Sequence, residues 1–165
     1  MSARRRSPGH GQSLVEFAIV LPIFLLLIFA IADLGLAVFS YNSITNAARE
    51  GVRLAIVNQD TTKITLRATQ QAAVARTPTV TAGFYQPNAD GTPNLAKSCP
   101  IAPASYIAVG CLAMVTFTGG YTPITPFIGN ILFKNGVTFT AISVLPVEYT
   151  CPNANQTAAQ CPKQP

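Results

Sequence analysis

Arg4, Arg5 and Arg6 lead through Ser7-Pro8-Gly9-His10 to Gly11, and Gln12-Ser13-Leu14-Val15-Glu16 then opens an apolar stretch. Sixteen uncharged residues, Phe17 to Ala32, follow Glu16. A carboxylate costs roughly 2.5–3.5 kcal/mol at a bilayer centre and less near an interface. A plain anchor has no use for such a charge, so Glu16 calls for a partner. The Gly-x-x-x-x-Glu-Phe spacing suggests one. Cleavage between Gly11 and Gln12 leaves a chain with a free ammonium and a carboxylate at its fifth residue. The amine of one subunit then neutralises Glu16 of a neighbour when apolar helices stack with an axial offset. Pairing removes the cost of two lone charges in a low-dielectric medium, which rewards one stagger and penalises the others. That is assembly chemistry rather than catalysis.

Other chemistries find little support. The single histidine, His10, lies in the leader, and beyond Asp33 the acids are Glu50, Asp60, Asp90 and Glu148. No Gly-x-Ser-x-Gly turn, phosphate loop or metal-ligand cluster is present, so neither an enzyme nor a cofactor or metal site is expected. Cys99, Cys111, Cys151 and Cys161 form no Cys-x-x-Cys pair, which argues against zinc. An even count beside an export signal favours disulfides. Of the three connectivities, Cys99–Cys111 with Cys151–Cys161 is preferred because each closes a short loop; free, buried thiols are the alternative.

Of 165 residues, 49% are hydrophobic and 10% charged, which allows one modest domain plus a membrane helix. Three of the five net positive charges lie in Arg4–Arg6, leaving +2 on the other side chains. With the remaining basic residues dispersed, no nucleic-acid partner is expected.

The elements that must position Glu16 begin with a polar, basic leader over residues 1–11. The chain from Gln12 reads as a transmembrane and stalk helix over residues 12–57, with the span at about 17–39. Those 23 residues measure about 35 Å as a helix, against a hydrocarbon core of roughly 30 Å. Pro22 withholds a hydrogen bond from Ala18 and predicts a kink. Asp33, late in the apolar run, either snorkels to the outer interface or meets another helix.

Past the span, Ile44, Ala47, Ala48, Gly51, Val52, Ala55 and Ile56 form a narrow stripe at helical spacing. Arg49, Arg53 and Glu50 form a charged ridge, most simply a solvated face. Asp60 caps a second predicted helix, Thr61 to Arg76, with Ile64, Ala68, Gln71 and Ala72 on one face. An extracytoplasmic α+β domain is expected over residues 58–150 and a polar tail over 151–165. Strands are predicted at Thr79–Phe84, within Tyr106–Thr118 and at Val137–Leu145. Gln86–Ser98 reads as a loop, Gly119-Gly120 as a turn, Thr122–Ile128 as a packed loop or short helical turn and Asn135-Gly136 as a tight turn. The predicted class is α+β: a long N-terminal transmembrane helix continuing into a small extracytoplasmic domain with a short antiparallel sheet.

Residues 12–22, the leucine-rich run, Asp33-Leu34-Gly35 and Asn46-Ala47-Ala48-Arg49-Glu50-Gly51-Val52-Arg53 together closely resemble the TadE-like family. These are pseudopilins of tight-adherence (Flp-type) pilus systems. The resemblance covers residues 11–57 at compatible spacing, and the segment 122–128 with a final strand ending Val147-Glu148 is more loosely similar. It implies that Gly11 precedes a prepilin-peptidase cut, that Gln12 is the mature N-terminus and that Glu16 is the assembly glutamate. It implies as partners a prepilin peptidase, other pilin-like and Tad-system membrane subunits and the lipid bilayer, with a role in pilus assembly and surface adhesion. The family pattern does not require the four cysteines.

Arg4–Arg6 favour a cytoplasmic N-terminus, although Arg49 and Arg53 lie close outside the other end. The expected location is therefore the bacterial inner membrane, single-pass, with the C-terminal domain outside. The rival is an ordinary signal peptide cleaved after Ala32, releasing a secreted or anchored binding module. Glu16, Pro22 and the apolar run on to Phe39 are poor choices for such a signal.

Overall fold

A computed structural model describes residues 9–72, 75–99, 101–102, 106–107, 109–125, 129, 136–152, 157 and 160–161. Its first element is a single 47-residue helix, α1 (Gly9–Ala55), about 70 Å long. The helix runs through Pro22. Its N-terminal half stands clear of the domain: Ile19, Ile23 and Ile31 are each more than three-fifths exposed. The second half carries a buried stripe at helical spacing, Asp33, Ser40 two turns on, and then Ile44, Ala47, Ala48, Gly51, Val52 and Ala55 at three- to four-residue steps. The predicted stripe thus begins eleven residues earlier than its apolar members indicate, because Asp33 and Ser40 are polar.

α1 ends in a turn at Ile56–Val57, and α2 (Thr61–Gln71) follows. The Asp60 carboxylate caps α2 by accepting from the Thr62 amide at 3.0 Å and the Lys63 amide at 3.4 Å. Ile64 and Ala68 are the buried residues of α2. The helix stops at Gln71 rather than Arg76, which instead opens the first strand.

Four strands, β1 (Arg76–Pro87), β2 (Pro93–Ser98), β5 (Leu112–Tyr121) and β6 (Val137–Pro146), form an antiparallel sheet in the order β2-β1-β5-β6. β3 (Ile101–Ala102) and β4 (Tyr106–Ile107) make a separate two-residue ladder. The strand expected within Tyr106–Thr118 is β5, with Val115 and Phe117 on its buried side; Tyr106–Ile107 is a separate short strand, set apart by a turn at Val109–Gly110 where Gly110 takes φ 91°. Two expectations for the sheet are corrected. The Gln86–Ser98 loop contains β2, an edge strand paired on one side only and therefore free of hydrophobic alternation. Gly119 and Gly120 lie inside β5, opposite Phe139 and Thr138 of β6. A side chain at Gly119 would come within 2.8 Å of the Ala75 Cβ and 3.0 Å of Ile44, so glycine lets α1 cross the sheet closely.

One sheet face packs on the helices. Val115 and Phe117 of β5, both fully buried, pair with Ala82 and Val80 of β1. Two adjoining clusters result, one of Ile44, Ala47, Ala48, Ala68, Phe117 and Ala141, the other centred on Val52, Ile64, Phe84 and Val115. Cys99 pairs with Cys111 and Cys151 with Cys161, at Cα separations of 6.1 and 5.5 Å. The Cys151–Cys161 bridge ties the tail to the domain. Of the expected turn at Asn135-Gly136, Gly136 (φ 84°) is described and Asn135 lies outside the described residues; so do 126–128 of the packed loop and residues 1–8 of the leader.

Candidate functional site: the bare helix and its outer clasp

Gly11, Gln12 and Glu16 sit exposed on the unaccompanied half of α1. Nothing lies within 4 Å of where a Gly11 side chain would project. From Leu14 to Ile31 every leucine, isoleucine, valine and phenylalanine is at least 38% exposed. At roughly 25 cal/mol per Å², a helix this apolar does not persist bare in water. The segment is long and apolar enough to cross a membrane. Glu16 is then the one carboxylate on an otherwise apolar surface, about 25 Å along the helix from Asp33.

Asp33 is in a different situation. It is 6% exposed and held by the segment that follows β5. The Tyr121 hydroxyl lies 3.1 Å from the Asp33 carbonyl oxygen and 3.2 Å from its Oδ1. The Ile124 amide donates to Oδ1 at 2.9 Å and the Thr125 amide to Oδ2 at 3.3 Å. The Thr125 hydroxyl donates to Oδ2 as well. A carboxylate accepting hydroxyl and amide donors on both oxygens is satisfied without a second helix, so it is a structural acceptor rather than a free base. Neither expectation for Asp33 describes this contact, which joins α1 to its own domain. Burial, then the hydrogen bond and charge of Asp33, raise the Tyr121 phenol above its ordinary value of 10.0.

The juxtamembrane motif divides by face. Ala47, Ala48 and Gly51 are buried, whereas Arg49 and Arg53 are exposed. A side chain on Gly51 would meet the Ala68 Cβ at 3.0 Å and Val115 at 3.1 Å, so Gly51 sets the approach of α2 and β5. Glu50 reaches Arg53 at 3.5 Å and Arg67 of α2 at 3.0 Å. Arg53 is exposed, so its pair with Glu50 contributes at most about 1 kcal/mol, whereas the Glu50–Arg67 pair is partly buried between α1 and α2.

Sequence reasoning missed Tyr121, Ile124 and Thr125 as partners of Asp33, and also Gln59. The Gln59 side-chain amide donates to the Ala55 and Tyr149 carbonyls at 3.0 and 2.8 Å, and its backbone amide to the Cys151 carbonyl at 2.8 Å. It stitches the end of α1 to the segment after β6. Among the described residues no group of three or more His, Cys, Asp or Glu converges as a metal site would require.

Residues 11–53 match the family model described as TadE-like protein. The matched segment is the bare half of α1, Asp33 and the buried stripe through Arg53. No curated protein and no solved structure matches the chain.

Proposed function

We propose that this TadE-like chain is a minor pseudopilin of a tight-adherence (Flp-type) pilus system, a non-catalytic subunit that acts through its N-terminal helix. The association with Tad-system membrane subunits follows from the family. The finer role rests on one observation: a bare apolar half-helix with a single exposed carboxylate, Glu16, five residues after Gly11. Prepilin peptidase removes residues 1–11, and the Gln12 ammonium of one subunit meets Glu16 of the next within the apolar phase. Helix packing supplies most of the affinity, and the charge pair selects the stagger.

The clasp at Asp33 supports a shorter span than the hydropathy suggests. We set the span at residues 12–32 rather than 17–39, because protein packing on α1 begins at Asp33. Those residues rise about 31 Å, close to the thickness of a hydrocarbon core. The N-terminus then lies in the cytoplasm, and the domain of residues 58–150 with the tail after it stands outside the inner membrane, where the Cys99–Cys111 and Cys151–Cys161 bridges are stable. Surface adhesion is a consequence of the pilus it serves.

Glu16→Ala tests the role. The variant inserts into the membrane as wild type does, while assembled pili fall about tenfold or more, the scale of one lost charge-assisted contact. Normal piliation by Glu16→Ala would rule out charge pairing.

A further inference from the structure

We propose that the cleft between α1 and the segment after β5 seats the phosphate of an outer-leaflet phospholipid on Arg76. The cleft, about 360 Å³, is lined by Leu36, Arg76, Tyr121, Thr122, Pro123 and Ile124. That is roughly a dozen water volumes, room for a phosphodiester with part of its glycerol. Among the described residues, the hydrogen bond of Arg76 is to the Thr122 hydroxyl, Nη1 donating at 2.9 Å, and no carboxylate lies within ion-pair distance. The nearby acid, Asp33, is occupied by Tyr121, Ile124 and Thr125. The guanidinium keeps further N–H donors in a planar fork suited to phosphate oxygens.

Position selects the ligand. Leu36 stands about 4.5 Å along α1 beyond Asp33. The polar zone of a bilayer extends about 5–8 Å beyond the hydrocarbon core on each side. With the core ending at Asp33, Arg76 lies at headgroup height. Ile124 offers an independent sign. Its amide is fixed on Asp33, yet its side chain is 73% exposed at the same level, where acyl chains begin. A cation and an exposed apolar side chain lining one cleft, at the exit of a lipid-facing helix, match a phospholipid rather than a free anion. The seat fixes how far the helix sinks, and so the height of Glu16 at the opposite face. This inference rests on the membrane span proposed above.

The test uses the full-length chain in lipid nanodiscs, followed by native mass spectrometry of co-purifying lipid. The nanodiscs contain either phosphatidylglycerol or a phosphate-free diglucosyl diacylglycerol. Wild type retains phosphatidylglycerol and not the glycolipid. Arg76→Gln retains about tenfold less, Arg76→Lys is intermediate, and Lys97→Gln, on the exposed strand β2, matches wild type. Equal retention by Arg76→Gln and wild type would overturn the seat, as would equal retention of both lipids. Displacement by inorganic phosphate at concentrations matching the lipid would overturn it too, leaving only a general anion site. A chain that never enters nanodiscs overturns the span itself, which separates the two failures.

Discussion

Tyr121, the last residue of β5, brings its hydroxyl to within 3.2 Å of the Asp33 carboxylate, joining positions 88 residues apart. A helix that leaves a membrane is thereby fastened to its own domain at its first polar residue. The donors come from a strand end and the segment after it, so the contact ties α1 to the end of β5.

Asp33→Ala leaves the Ile124 and Thr125 amides without their acceptors. Hydrogen–deuterium exchange at those two amides is predicted to rise about tenfold or more, while exchange at Val115 in the core stays slow. Asp33→Asn keeps one acceptor oxygen and falls between. Unchanged protection in Asp33→Ala would mean that the segment holds itself.

The Tyr121 phenol titrates above 10.0 because burial and the neighbouring Asp33 charge both resist its ionisation. A group whose value is raised by folding contributes stability that is complete below its unfolded value and is lost as pH rises through the folded one. Thermal midpoints of wild type are therefore predicted to decline above about pH 10. Tyr121→Phe starts lower, having lost the hydrogen bond, and shows a shallower alkaline decline. Parallel curves for the two proteins would remove Tyr121 from the account.

Gly51 poses a contest between two effects. Replacing glycine in a helix gains about 1 kcal/mol of propensity. Side chains at position 51 meet Ala68 and Val115 at 3.0 and 3.1 Å, and overpacking costs about 1–3 kcal/mol. Gly51→Ala is predicted to be near neutral, and Gly51→Val destabilising by about 2 kcal/mol, read by chemical denaturation in detergent. A stabilised Gly51→Val would show that α1 and α2 have room to separate.

The stalk core was legible because Ile44, Ala47, Ala48, Gly51, Val52 and Ala55 repeat at helical spacing. The same period continues back through Ser40 and Asp33, and that was the overlooked signal. A polar residue in an apolar run reads as a membrane charge when its partners lie far downstream, and no local pattern ties Asp33 to Tyr121. The two disulfides followed from short loops, since local closure is visible in spacing.

The errors in the sheet have a common cause. Gly119-Gly120 resembles a turn, but tertiary crowding by Ile44 and Ala75 demands glycine within the strand. β2 is polar because one edge and both faces see little of the core. Arg76 continues a helical composition yet pairs with Gly120, after Ala72 caps α2. Each outcome depends on a neighbour that sequence proximity does not reveal.

The most direct measurement is the N-terminal mass of the protein isolated from native membranes. Removal of the basic leader predicts a chain starting at Gln12, its α-amine available to an adjoining protomer's acid. Polymerised material that keeps Met1, or a mature chain starting at Asp33, would contradict it.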